Sequence, residues 1–242
     1  MDLYEEQILD YLHILKSQHR TPSDSFFKHT VYGLRYAYRI SGMKEMRVVL
    51  PSIERPKKLP VVLSRNEVRQ LLKAPKLLKH RLVLAMLYGC GLRSFELCNL
   101  QLKDLDLERM MLHIRQGKGR KDRYVPLCAM QVRGLRKYIS AERPVTWCFN
   151  GNDSKGGPVA LSARGVQWIV KEARKHSGIQ KEVTTHSLRH SYATHLLEMG
   201  LDIMSVKDLL GHADIQTTLT YLHVAQLGRQ RPFSPLERLY DK

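Results

Sequence analysis

Apolar residues recur along this chain at two spacings. Over residues 1–19, Leu3, Ile8, Leu12 and Leu15 fall roughly on one face of a helix. Thr21-Pro22-Ser23 breaks that pattern, and a second helical pattern runs from Asp24 to Ile40, stopping near Gly42. Ser64-Arg65-Asn66-Glu67 is a capping-box pattern ahead of a helix to about Lys73. Another helix is predicted from about Lys79 to Tyr88. Residues 110–115 and 122–127 read as short strands, joined by the basic, glycine-bearing QGKGRK as a hairpin or small sheet. Helices are predicted at about 129–141, 163–176, 187–199 and 202–210, with a last one starting near Asp214. Gly200 fits the stop of one of them.

Between the first two helices and the rest lies LPSIERPKKLP, residues 50–60. Its three prolines and its basic residues Arg55, Lys57 and Lys58 mark an extended linker. The predicted organisation is a small helical piece over 1–50, a linker over 51–61, and a larger domain over 62–242, mainly α with a small β-sheet. A chain of 242 residues has room for one ordinary domain and a small second one. The longest apolar run, Leu82 to Tyr88, is seven residues, far short of a bilayer. It reads as a buried helix. The acidic start MDLYEEQILD lacks the basic head and apolar core of a secretory signal. A cytoplasmic protein with no membrane partner is expected.

Charge narrows the picture further. Forty Lys and Arg against 23 Asp and Glu give a formal net charge of +17. Such a field attracts polyanions. No basic amphipathic helix with a bulky apolar face stands out, so nucleic acid is favoured over a membrane surface. The cysteines, Cys90, Cys98, Cys128 and Cys148, form no C-x-x-C pair, and three sit in apolar surroundings. They read as reduced core thiols.

Four segments carry candidate chemistry. In YGCGLRSFEL (88–97), Arg93 follows two glycines and Glu96 lies on the first turn of the next helix. RQGKGRKDR (115–123) places Lys118 at a hairpin tip. In THSLRHSYATHLL (185–197), His186 and Arg189 share a face at a helix start. In LLGHADIQTTLTYLHV (209–224), His212 follows a glycine and Tyr221 comes nine residues later. Two arginines, a lysine, two histidines and a tyrosine make a positive site rich in donors. A phosphodiester gains negative charge on its non-bridging oxygens in a pentacoordinate transition state. Guanidinium groups match that geometry and stay charged, and fixed donors aimed at developing charge are usually the largest catalytic term. A tyrosine hydroxyl can attack covalently, and a lysine can protonate the departing 5′ oxygen. No metal is required.

Taken singly, each residue has an ordinary role. Arg93 reads as a helix-cap arginine, Lys118 as a phosphate contact and Tyr221 as a packing residue. His186, His190 and His195 share one helix, but an arginine among them argues against a bound cation. Tyr192 reads as core. The joint pattern is what defeats these readings.

In this order the set resembles the catalytic signature of tyrosine site-specific recombinases, the phage integrase family, in the flavour of Xer recombinases and integron integrases. The stretches GCGLRSFEL, GKGRKDR, HSLRHSYATHLL and LGHADIQTTLTYLHV carry the resemblance, over roughly residues 60–225. It implies a tyrosine-recombinase catalytic domain behind a helical core-binding domain, here short and truncated in aspect. It implies cleavage and rejoining of DNA through a 3′-phosphotyrosyl link, for integration, excision or resolution of a mobile element, with no cofactor. Arg93 and Arg189 would grip the scissile phosphate, and Lys118 would be the general acid, with Lys121 a rival. His186 would assist proton movement at the nucleophile, His212 would hydrogen-bond the phosphate, and Tyr221 would attack. Glu96 and His190 would orient these groups. Arg55, Lys57, Lys58, Arg115, Arg120, Lys121 and Arg123 are expected DNA contacts. The implied partners are double-stranded DNA near the nucleoid and further copies of the chain: monomer when free, dimer per site, tetramer in synapsis. The tail after Tyr221 would dock on a neighbouring protomer.

About 50 residues precede the linker, where the family usually has four or more helices. Either a natural minimal clamp or a trimmed reading frame fits. Two other functions compete: an impaired or regulatory DNA-binding relative, and a type IB topoisomerase, which the Xer-like stretches disfavour. Fewer phosphate contacts weaken binding and flatten its salt dependence. A shift assay titrated with salt is expected to give a shallower slope than a relative with a full clamp; an equal slope would refute the short-clamp expectation.

Overall fold

Ile8 and Leu12 on one helix are buried with Val31 and Tyr38 on the next. The computed structural model of the chain describes residues 5–18, 24–43, 59–115, 122–152 and 157–225. The chain divides into two compact units, Met1–Lys58 and Leu59–Lys242. The first contains α1 (Glu5–Gln18) and α2 (Asp24–Ile40), and that apolar cluster lies between them. Leu3 and the basic linker residues Arg55, Lys57 and Lys58 lie outside the described residues.

The second unit runs α3 (Arg65–Lys73), α4 (Leu78–Gly89), α5 (Ser94–Cys98), β1 (Leu105–Asp106), β2 (Met111–Ile114), β3 (Arg123–Pro126), α6 (Ala129–Glu142), β4 (Asn150–Asn152), β5 (Pro158–Ala160), α7 (Ala163–Ser177), α8 (Thr185–Glu198), α9 (Ile203–Leu210) and α10 (Gln216–Leu219). Helix α4 is its axis. Leu82, Val83, Leu84, Met86 and Leu87 are all buried, so the helix is apolar nearly all round. Such a helix needs neighbours on every side, and it packs against α3, α5, α6, α7 and α8. Val132 and Leu135, Val166, Ile169 and Val170, and Leu188 close around it.

Local chemistry sets the boundaries. The capping box ahead of α3 is present: Ser64 Oγ accepts from Glu67 N at 3.2 Å, and Ser64 N donates to Glu67 Oε2 at 2.6 Å. Helix α8 begins at Thr185, two residues before the sequence pattern predicts, because Thr184 Oγ1 accepts from Ser187 N. His186 therefore sits on the first helical turn.

The expected hairpin of β2 and β3 is antiparallel, with Leu112 opposite Val125 and Ile114 opposite Arg123. A short third strand, β1, pairs on the other edge of β2. A second hairpin, β4 with β5, forms where no strand was expected. Helix α10 is a single turn. The architecture is mainly helical with small antiparallel sheets.

Cys90, Cys98 and Cys148 are buried and Cys128 is exposed; all are free. Burial pushes the Cys90 and Cys148 thiols up to about 12, so both are protonated and inert at neutral pH. Among the described residues, no helix is long and apolar enough to cross a membrane.

Leu84 is fully buried at the centre of α4. Leu84→Ala is expected to cost about 2–5 kcal/mol, read as a lower denaturant midpoint with unchanged helical signal before the transition.

Candidate active site

The site is built around one carboxylate. Glu96 lies on the first turn of α5 and is 7% exposed. Its Oε2 caps the helix by accepting from Arg93 N at 2.9 Å. Its Oε1 accepts from Arg93 Nη1 at 2.8 Å. Arg123 of β3 then pairs with it bidentately, Nη1 to Oε1 at 2.9 Å and Nη2 to Oε2 at 2.8 Å. Arg189 of α8 comes within 4.0 Å of the same carboxylate.

The same three arginines converge on the end of α9. Arg123 Nε donates to Leu209 O at 2.8 Å, Arg189 Nη2 to Leu210 O, and Arg93 Nη2 to Gly211 O at 3.3 Å. The last carbonyls of a helix have no partner within it and form its negative pole. Three guanidinium groups that would repel one another are thus held together by one carboxylate and one helix end. Gly211 terminates α9 at φ 61°, and His212 follows it. A Cβ on Gly211 would lie 3.0 Å from Arg123 Nη1. Gly91, before Arg93, is equally constrained. Its φ is 58°, a Cβ there would meet the Tyr192 ring at 2.4 Å, and its carbonyl accepts from Arg189 Nη1. These close approaches are why the loop to Arg93 carries glycine.

Tyr221 follows α10 and is 3% exposed. Its hydroxyl lies 3.1 Å from His190 Nδ1. The His212 ring lies nearly parallel to the Tyr221 ring, 6.3 Å away, and His212 Nδ1 meets Thr218 Oγ1 at 2.9 Å. Burial raises the Tyr221 hydroxyl above its ordinary value, against the pull of the Arg189 and Arg93 charges. Burial, with the charges of His186 and Arg189, lowers His190 to about 4, so its imidazole is neutral at pH 7. Burial and the Arg93 charge lower Arg189 to about 10, and it stays cationic at neutral pH.

Arg93, Glu96, Arg189, His190, His212 and Tyr221 therefore come together from α5, α8 and the chain after α9. His186 is exposed, with its ring 6.3 Å from that of His190. The group at the tyrosine hydroxyl is thus His190. His195 faces away to Tyr88, whose hydroxyl it meets at 2.9 Å. Among the described residues, no three His, Cys, Asp or Glu side chains are grouped to hold a metal. Lys118, Arg120 and Lys121 lie outside the described residues.

The sequence of residues 61–227 matches the phage integrase family. The chain belongs to that family. It is 39% identical over 196 residues to the tyrosine recombinase XerA of Thermococcus onnurineus, covering 80% of this chain and 69% of that protein. The crystal structure of a XerA recombinase superposes with a TM-score of 0.66 at 28% identity, covering 95% of this chain and 84% of that one. A XerH site-specific recombinase bound to a palindromic difH substrate shares the fold, with a TM-score of 0.74 at 23% identity, over 93% of this chain and 70% of that one. The chain is thus an enzyme of the tyrosine recombinase class.

Two expected DNA contacts of this recombinase need correction or restatement. The Arg123 side chain is 8% exposed and committed to Glu96 and Leu209, so it is an ion-pair partner within the site and not an open surface cation. Arg115 is half-exposed and pairs with the buried Asp104. Sequence reasoning missed the Arg123 pairing because the residue sits in a run of surface-like basic positions. The one available signal was strand alternation, which sets Arg123 on the same face as the buried Val125.

Burial alone would raise Glu96. The hydrogen bonds and charges of Arg123 and Arg93 outweigh it and hold the carboxyl below its ordinary 4.5. A carboxylate lowered on folding stabilises the fold above its unfolded pKa, and that contribution is lost as pH falls through the folded value. The stability gap between wild type and Glu96→Gln is expected to be full at pH 7 and to shrink below about pH 4.5. Denaturant unfolding of both proteins at several pH values checks this; a gap that widens on acidification would contradict it.

Proposed function

We propose that this recombinase cleaves and rejoins duplex DNA at specific sites through a covalent bond between Tyr221 and the DNA 3′ phosphate. The observation that carries the reading is the tyrosine hydroxyl held 3.1 Å from a neutral imidazole, beside a cluster of arginines. The Tyr221 oxygen attacks phosphorus, its proton passes toward His190, and the bond to the 5′ oxygen breaks. His186, exposed with its ring 6.3 Å from that of His190, passes the proton on toward solvent in this reading. Arg93 and Arg189 oppose the charge that develops on the non-bridging oxygens, and His212 donates to one of them. Lys118, assigned from its GKG setting alone, protonates the departing 5′ oxygen. One phosphoester is exchanged for another, so reversal by a 5′ hydroxyl rejoins the strand without an energy source.

The partner is double-stranded DNA, as the net charge and the DNA-bound XerH relative support. Joining two sites calls for one protomer per cleaved strand, hence dimers on each site and a tetramer in synapsis. The reading extends to integration, excision or resolution of a mobile element, a role that rests on the resemblance alone. It also takes residues 1–50 as part of the DNA clamp and 62–242 as the catalytic domain.

Nicked suicide duplexes from DNA flanking the gene, incubated without metal, test the chemistry. The expected result is a protein–DNA adduct that survives denaturation and is absent in Tyr221→Phe. Salt-sensitive binding with no adduct would instead mark a DNA-binding relative without strand exchange. Relaxed plasmid without exchanged products would mark a topoisomerase.

A further inference from the structure

We propose that Arg123 is a positioning residue of the strand-cleavage reaction: from β3 it fixes Arg93 through Glu96 and fixes His212 through the end of α9. This rests on the reading of the site given above.

Three observations carry it. First, Arg123 donates from all three of its nitrogens, and its partners lead to different parts of the site. Both terminal nitrogens hold the two oxygens of Glu96, and Nε holds Leu209 O. A bidentate pair fixes the plane of a carboxylate as well as its place. Glu96 Oε1, so fixed, is the atom that accepts from Arg93 Nη1 at 2.8 Å. The direction of the Arg93 guanidinium therefore depends on a second guanidinium with which it cannot itself hydrogen-bond, both being donors only. Second, the Arg123 side chain covers Gly211, where a Cβ would meet Nη1, Cδ and Cζ at 3.0–3.3 Å. The turn that presents His212 is packed on this guanidinium. Third, Arg123 opposes Ile114 on the rung of the β2–β3 pair nearest the segment that joins the two strands. One side chain of the sheet thereby bonds to both α5 and the end of α9.

With 8% of its side chain exposed, Arg123 has little surface to offer a phosphate. Its influence must pass through the groups it holds. Lysine at this position keeps the charge but loses the planar fork, since an ammonium group cannot grip both carboxylate oxygens and a carbonyl in one plane.

The test compares wild type, Arg123→Lys and Arg93→Lys, and the double variant, on a nicked suicide duplex under single-turnover conditions. Duplex affinity and melting temperature are measured alongside, and all rates are taken well below the lowest melting transition. The expected result is a fall in adduct formation for Arg123→Lys on the order of 10- to 100-fold, with duplex affinity within about threefold of wild type. The double variant should fall by less than the product of the two single effects, because both act on one guanidinium. Arg123→Met with free guanidinium ion added should recover part of the lost rate without a change in affinity. A purely structural role predicts no such recovery, and a rate loss that tracks the unfolded fraction. Wild-type cleavage by Arg123→Lys, or effects that multiply independently, would overturn this proposal and leave the reading of the site intact. No adduct from wild type would overturn both.

Discussion

The active-site half of this recombinase depends on the burial of one negative charge among three positive ones. Removing Glu96 from water is costly unless charge and hydrogen bonds compensate it. Arg93 and Arg123 satisfy both of its oxygens, and Arg189 lies at the edge of contact. The guanidinium groups face the converse problem, mutual repulsion, and the carbonyls at the end of α9 relieve it. Each half offsets a cost that the other carries. Replacing such a cluster with apolar side chains often leaves a protein as stable or more so. Its bonds favour one arrangement, in which α5, α8, α9 and β3 must all be in register before all of them are satisfied.

Much of the fold is legible in the amino-acid sequence. The 3.6-residue spacing marked α2 to α4, α6, α7 and α9, and Ser64 with Glu67 marked the start of α3 through its capping chemistry. The β2–β3 pair was legible from its flanking basic, glycine-bearing turn. The β4–β5 hairpin was not, because NGNDSKGGPVA has the composition of a loop and only three residues on each side pair. Strand β1 is two residues long, too short for any alternation to register.

The candidate site divides in the same way. Arg93, Arg189, His212 and Tyr221 stood out by their order and spacing, and the fold brings them together. Which histidine meets the tyrosine did not stand out. His186 and His190 are one turn apart on α8, and the choice is made by the path of the chain after α9, 31 positions from His190. The fate of Arg123 was hidden for a related reason. A buried arginine and a surface arginine look alike in a basic run, and the partner that buries this one is 27 residues away. Local pattern reports local structure; pairings across such distances are settled by packing.

Tyr221 is packed beside Tyr192, Leu197, Val206 and Leu210. The proposed nucleophile is thus kept largely covered. On the proposed chemistry, a duplex that merely brushes the protein finds exposed His186 and half-covered His212, but a tyrosine that is almost wholly buried. On that chemistry, uncovering it would draw on binding free energy, which a well-matched site supplies in greater measure. Fidelity would then be enforced before the first bond breaks, by withholding the nucleophile, and accidental nicks would be scarce even for a protein with strong general attraction to DNA.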